Sequence, residues 1–111
     1  MDIQLKRGSL DILVLTALLK EDSYGYKIIQ DLKDITDISE STLYPILKRL
    51  QSNKCVSSYS VEHNGRLRKF FKITDEGKKK ISEYLDDFKE LLDIFKYIES
   101  EADTYIKGGN I

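Results

Sequence analysis

The sequence predicts an α+β fold, mainly α, in which three helices are followed by a two-stranded hairpin and one long last helix. Apolar residues recur at helical spacing before residue 53, alternate as in strands around an Asn-Gly pair, and return to helical spacing after residue 74. A chain of 111 residues suffices for one compact domain plus one appended element. We therefore expect a domain over residues 1–75 and, over residues 76–111, a helix with a frayed tail at 107–110.

The first two helices are predicted from their apolar positions. Residues 9–19 are so rich in apolar side chains that we expect a mostly buried helix there. A second helix should span residues 24–33, with Ser23 as its N-cap because a serine hydroxyl accepts bonds from free backbone amides. The positions expected on one face of that helix are Tyr26, Ile29 and Leu32.

The third helix should span residues 40–52. Ser39 is the candidate N-cap, and Glu40 occupies the first turn, where the helix dipole favours a carboxylate. At helical spacing, one stripe of this helix is entirely apolar and the opposite face is polar. The stripe consists of Leu43, Ile46, Leu47 and Leu50.

Two strands are predicted at 55–62 and 67–73. They are joined around Asn64-Gly65, a pair typical of two-residue hairpin turns in which both residues need a positive φ. This turn places Tyr59 opposite Phe70 and Val56 opposite Ile73. A hairpin is not stable alone, so it must pack on the three helices. Thr74 then caps the last helix, and the whole order is that of a winged helix-turn-helix domain.

Composition limits the possible functions of the chain. One cysteine excludes an internal disulfide, and no apolar run is long enough to span a membrane, so we expect a cytoplasmic protein. Residues 1–40 carry 5 basic and 8 acidic side chains, residues 41–80 carry 10 and 3, and residues 81–111 carry 3 and 8. The overall charge of −1 therefore hides a middle segment of +7, a candidate surface for a polyanion such as double-stranded DNA.

The candidate DNA-binding surface combines the polar face of the third helix with the basic hairpin. Hydroxyl groups near the start of the helix and cations beyond them suit a helix that enters the major groove. Alternatively, the helix face is simply solvated and the hairpin is an edge whose charges prevent aggregation. The candidate residues are Ser39, Ser41, Thr42, Tyr44, Lys48 and Arg49 on the helix, and Arg66, Arg68 and Lys69 on the hairpin.

The last helix carries an apolar stripe at a spacing of 3.5 residues. A helix of roughly 28 residues is about 42 Å long and cannot bury its whole stripe on so small a domain. We expect it to pair with a second copy of the chain, the alternative being a helix folded back on its own domain. The expected interface residues are Ile81, Tyr84, Leu85, Phe88, Leu91, Leu92, Phe95 and Ile98, and the stripe continues to Ala102 and Tyr105.

The sequence offers no catalytic or metal-binding constellation. The single histidine, His63, is expected beside the hairpin turn, and Cys55 is expected to be a small buried side chain. No motif typical of a metal site or a phosphate-binding loop occurs. We expect neither an enzyme nor a cofactor.

Several motifs resemble those of the PadR family of transcriptional regulators. They are Tyr24-Gly25-Tyr26 in the second helix, the run 39–50 with its Leu43-Tyr44-Pro45 element in the third, and the run 65–74 with Gly77 beyond it. The resemblance covers roughly residues 5–80. The short length and single C-terminal helix are similar to the smaller subfamily of these regulators.

The resemblance implies a cytoplasmic homodimer, usually a repressor, that binds a palindromic operator and is sometimes released by a small aromatic or amphipathic ligand. It also implies that Tyr44 bonds the DNA backbone. Two features depart from the family pattern: Ser41 stands where glycine is common, and the chain has no tryptophan to stack a ligand. From the residues alone, a winged-helix module that binds protein instead of DNA is the alternative.

Overall fold

A computed structural model describes residues 3–107, with side chains described from Gly8 onward. The order of elements is the predicted one: three helices, two strands and a long helix. A single π-helical turn, Asp103–Lys107, follows the long helix. The bounds are α1 Ile3–Ala17, α2 Gly25–Leu32, α3 Glu40–Ser52, β1 Val56–His63, β2 Arg66–Ile73 and α4 Asp75–Ala102.

The core lies where the three helices meet the base of the hairpin. Fully buried side chains come from every helix of this group, and they are large aliphatic residues packed together. Between α2 and α3, Ile38 fills the same core, and Phe71 and Ile73 bring in β2. The largest fully buried apolar side chains are Val14, Leu15, Leu18, Ile28, Leu43, Leu47 and Leu50.

Helix α3 has the predicted bounds, cap and buried stripe. The Ser39 hydroxyl accepts a hydrogen bond from the Thr42 amide at 3.3 Å, so an otherwise unpaired backbone donor of the first turn is satisfied. All four stripe residues are buried, whereas every other residue of α3 is exposed. The stripe thus fixes which face of the helix is available to a partner.

The hairpin has the predicted register. Val56 pairs with Ile73 and Tyr59 with Phe70, and the turn residues Asn64 and Gly65 have φ values of 52° and 78°. Because both φ values are positive, the two-residue turn has the conformation that an Asn-Gly pair favours. The hairpin forms the wing of a winged helix-turn-helix fold.

Ser23 is not the N-cap of α2, contrary to prediction. It forms an antiparallel bridge with Phe71: the Ser23 amide donates to the Phe71 carbonyl at 3.1 Å, and the Phe71 amide donates to the Ser23 carbonyl at 2.7 Å. The backbone of Ser23 therefore pairs with β2 through one isolated bridge. Tyr24 occupies the cap position and makes no side-chain capping bond.

Two further boundaries and one face differ from prediction. Helix α1 begins at Ile3, before the apolar run, and after Ala17 it tightens through bonds from the Leu18 and Leu19 amides to carbonyls three residues back. Helix α2 buries Gly25, Ile28 and Leu32, while Tyr26 is 62% exposed. The tail predicted at 107–110 lies outside the described residues except for Lys107.

The chain divides into two compact units, Met1–Ile81 and Ser82–Ile111, whereas the predicted boundary was 75/76. The start of α4, residues 75–81, belongs to the first unit because Thr74 and Gly77 are held by the segment that enters β1. The Thr74 hydroxyl donates to the Lys54 carbonyl at 2.6 Å and accepts from the Gly77 amide at 3.1 Å, as expected of a cap. Gly77 itself is buried against Cys55 and Ile73.

Gly77→Ala should destabilise the domain. An added Cβ would overlap the Cys55 carbonyl oxygen and come within 2.7 Å of Ile73 Cγ1, so the free energy of unfolding should fall by roughly 1–3 kcal/mol, as in other overpacked sites. The matched control is Gly8→Ala in α1, where an added Cβ meets nothing within 4 Å. The control should be neutral or gain up to about 1 kcal/mol from helix propensity. Urea denaturation compares the two, and equal stability would refute the close approach.

Candidate nucleic-acid interface

The N-terminal turn of α3 presents a cluster of hydroxyl groups. Ser39 Oγ lies 3.0 Å from Ser41 Oγ and donates to Thr42 Oγ1 at 3.1 Å, and all three residues are exposed. Further along the same exposed face stands Lys48, which forms no ion pair with a described residue. Hydroxyls can both donate and accept, so this face can bond phosphates and base edges.

Tyr44 lies at the edge of the buried stripe, with its ring against the start of α2. It is 47% exposed, and its hydroxyl lies so close to Gly25 that any Cβ there would overlap the oxygen. No hydrogen-bond partner of this hydroxyl is found among the described residues. The ring is thus packed while the hydroxyl remains available to a ligand.

Arg49 is already paired within the domain. Its Nη2 lies 2.7 Å from Asp11 Oδ1 and its Nε 3.4 Å from Asp11 Oδ2, a two-point contact that joins α3 to α1. The Asp11 side chain is only 14% exposed, so this pair is better shielded than an ordinary surface pair. The Asp11 carboxylate neutralises the charge of Arg49, which sets it apart from the other predicted cations.

The wing carries the remaining predicted cations on β2. Arg66, Arg68 and Lys69 are exposed, and none forms an ion pair with a described residue. The Arg68 guanidinium lies over the Tyr24 ring, 4.2 Å from its centroid, and Lys69 Nζ lies 5.5 Å from the centre of the Phe71 ring. Arg68 and Lys69 therefore make cation–π contacts, and no described carboxylate neutralises their charges.

A cleft of about 640 Å³ lies between the wing and the adjoining ends of α2 and α3. One wall holds the three wing cations, and the other holds Tyr44 and Glu40. Of the nine predicted DNA-binding residues, four line the cleft: Tyr44, Arg66, Arg68 and Lys69. The other five do not line it: Ser39, Ser41, Thr42, Lys48 and Arg49. Its lining also includes Tyr24, Gly25, Tyr26, His63, Asn64, Leu67 and Phe71.

Tyr59 anchors the wing to the segment before α2. Its hydroxyl donates to Asp22 Oδ2 at 2.6 Å, and this hydrogen bond to a carboxylate raises the pKa of Tyr59. Its ring stacks on Phe70 with centroids 5.7 Å apart, and Tyr24 meets Phe70 edge-on at 5.3 Å. Sequence reasoning placed Tyr59 opposite Phe70 but did not find Asp22 or the role of Tyr24.

The predicted interface stripe is largely exposed on the second unit. Five of its members are between 43% and 59% exposed: Leu85, Phe88, Leu91, Phe95 and Ile98. Ile81, Tyr84 and Leu92 are partly covered, and Tyr84 stacks on Phe88 at 6.3 Å. Beyond Ala102 the π-helical turn changes the spacing, so Tyr105 and Ile106 no longer follow the repeat and are 80% and 74% exposed.

The two side chains singled out for other chemistry are His63 and Cys55. His63 is exposed at the wing tip and Cys55 is buried, and no group of three or more His, Cys, Asp or Glu side chains is arranged to hold a metal ion. Within the same range, no helix is both long and apolar enough to cross a bilayer.

Gly25→Ala should displace Tyr44. Because the added Cβ would meet the far end of a side chain that can turn away, we expect a loss in unfolding free energy of only about 1 kcal/mol, at the low end of overpacking. In a Tyr44→Ala background the same change should cost nothing. Urea denaturation of the four proteins of this double-mutant cycle measures the coupling. Additive losses would mean that the two residues are not in contact.

Comparison with known proteins agrees with this geometry. The model of the Transcriptional regulator PadR-like family matches residues 14–83. An uncharacterized protein of Lysinibacillus sphaericus is 35% identical over 97 residues, which are 80% of this chain and 89% of that protein.

Solved structures share the fold. A PadR family transcriptional regulator from Eggerthella lenta is 33% identical, covers 86% of each chain and superposes with a TM-score of 0.77. PadR of Bacillus subtilis, solved in complex with operator DNA, is 24% identical and has a TM-score of 0.65, over 69% of this chain and 46% of that one. The family match covers more than half of the chain and includes the helix-turn-helix and the wing. This chain belongs to the PadR-like family of transcriptional regulators, which are DNA-binding proteins and not enzymes.

Proposed function

We propose that this regulator is a homodimeric repressor in which each copy inserts α3 into the major groove of a palindromic operator and lays its wing along the neighbouring backbone. The observation that carries the proposal is the cleft, where the Tyr44 hydroxyl and the three wing cations line the walls with almost no opposing carboxylate. Glu40 is the exception, and it sits where the α3 dipole favours it. A dimer bound over its operator would exclude other proteins from that DNA.

The proposed contacts divide by chemistry. Ser39, Ser41 and Thr42 lie at the leading end of α3, where free amides and hydroxyls can meet phosphates or base edges. Lys48, Arg66 and Lys69 supply unpaired charge for phosphates. Arg49 is not among the proposed phosphate contacts because the Asp11 carboxylate already neutralises its charge.

Tyr44 is proposed to bond one phosphate through its hydroxyl. Gly25 supports this role because, without a Cβ, it leaves room for the Tyr44 hydroxyl at the cleft. Such a contact would orient α3 without reading sequence, since phosphates carry no base information.

The α4 stripe is proposed to join the two copies. An exposed apolar row of this length on one helix is typical of an interface and not of a solvated surface. Pairing two α4 helices would cover the stripe, and two-fold symmetry would present two α3 helices to two half-sites.

We also propose that a small aromatic or amphipathic effector binds the regulator and releases it from DNA. An open hollow of about 460 Å³ is lined only by apolar side chains of α4, including Phe88 and Phe95. In a chain without tryptophan these two rings would supply the aromatic contacts. The protein would act in the cytoplasm, where it meets the chromosome.

Binding to DNA should depend steeply on salt. If the dimer makes about 6–10 phosphate contacts, affinity for a mixed-sequence duplex should fall roughly 10³–10⁵-fold between 50 and 200 mM salt. Replacing Lys48, Arg66 or Lys69 with Gln should each lower the slope of log K against log salt by about two, one for each half-site. Fluorescence anisotropy with a labelled duplex measures both quantities.

The matched control for these variants is Lys27→Gln on α2. Lys27 is held by Asp31 at 2.9 Å and Glu21 at 3.5 Å, and the Asp31 hydrogen bond raises the pKa of Lys27. Because its charge is already paired, its loss should leave the slope unchanged. A wild-type protein without affinity for DNA would favour the protein-interaction module instead.

The dimer proposal predicts that Phe88→Asp and Leu91→Asp yield monomers, because each places a charge in the paired stripe. The control is Lys89→Glu, which changes charge on the same turn at a position outside the stripe. Sedimentation velocity reports the mass of each protein. A dimer that persists unaltered in both Asp variants would exclude this interface.

A further inference from the structure

Tyr24 is the central member of an aromatic clamp that joins the wing to the start of α2. The clamp consists of Asp22, Tyr24, Tyr59, Arg68 and Phe70. Arg68 lies on the face of Tyr24, Phe70 meets it edge-on, Tyr59 stacks on Phe70, and the Tyr59 hydroxyl donates to Asp22. The chain of contacts starts and ends in the segment before α2, so the wing is held at two points.

The contact at Arg68 leaves its hydrogen-bonding edge free. A guanidinium stacked on a ring directs its N–H groups outward in its own plane, where they can reach a phosphate. At 4.2 Å from the ring centroid, Arg68 is well within range of a cation–π contact, and no described carboxylate pairs with it. This differs from Arg49, whose Nε and Nη2 already donate to the Asp11 carboxylate.

The stack also reduces the entropy cost of binding. An arginine side chain has many rotamers, and fixing them at an interface opposes association. A contact with the Tyr24 ring reduces the number of rotamers that Arg68 samples before DNA arrives, and both residues line the cleft.

We propose that Tyr24 is a positioning residue for DNA binding, whose ring holds the Arg68 guanidinium in place for a phosphate that enters the cleft. The inference rests on the proposed function and adds to it a role for the first residue of the Tyr24-Gly25-Tyr26 motif. Asp22, Tyr59 and Phe70 hold the segment of Tyr24 against the wing.

Anisotropy titrations of a labelled mixed-sequence duplex over a salt series test the role. Tyr24→Phe keeps the ring and should bind as wild type does. Tyr24→Leu should weaken binding roughly 5–30-fold for two half-sites, as the loss of two exposed cation–π contacts implies, with the salt slope unchanged. Arg68→Gln should weaken binding and lower the slope by about two, because it removes a charge from each half-site. In the Arg68→Gln background, Tyr24→Leu should have no further effect on affinity.

Arg68→Lys tests the same contact by changing the cation and not the tyrosine. It therefore tests the inference even if Tyr24→Leu does not fold. Lysine keeps the charge but lacks the planar group, so affinity should fall as in Tyr24→Leu with the slope unchanged. Two results would each overturn the inference: Arg68→Lys binding as wild type, or Arg68→Gln leaving the slope intact. A loss from Tyr24→Leu that persists in the Arg68→Gln background would do the same. If wild type itself fails to bind the duplex, the proposed function is rejected, whereas these results leave it standing.

Discussion

Two backbone hydrogen bonds between Ser23 and Phe71 hold the wing to the helices. A two-stranded hairpin is marginal in water, and this bridge gives β2 a partner on its second edge. Phe71 is 3% exposed, so the same residue that closes the bridge also anchors the hairpin in the core. The bridge sets the position of the segment that enters α2, and the cleft exists because that segment and β2 lie side by side.

The side chains of the site follow from this backbone contact. Tyr24 comes directly after Ser23, and Phe70 directly before Phe71, so their rings emerge as neighbours and meet at 5.3 Å. Arg68, two residues further back on the same face of β2, then reaches the Tyr24 ring. One pair of hydrogen bonds thereby determines which of the wing cations contacts the Tyr24 ring.

Local signals predicted much of this fold, and contacts between distant segments account for the errors. The α3 stripe, the Ser39 cap and the Asn64-Gly65 turn each depend on residues within a few positions, so spacing alone identifies them. Ser23 was assigned as a cap because a serine before a helix usually is one, but its partner Phe71 lies 48 positions away in the chain. The Arg49–Asp11 pair spans 38 positions, so the spacing of apolar residues could not predict it either.

A chain with a net charge of −1 can serve as a DNA-binding protein because its charges are separated and only some of them are neutralised. Residues 81–111 carry most of the acidic excess, and Ser82–Ile111 is a compact unit by itself. Within the first unit, carboxylates pair with Arg49 and Lys27, while Lys48, Arg66 and Arg68 have no such partner among the described residues. The ion pairs thus neutralise Arg49 and Lys27, whereas Lys48 on α3 and the wing arginines keep their charge. A surface organised in this way attracts phosphates over a short range although the whole molecule is nearly neutral, because screening by salt limits each charge to its own neighbourhood.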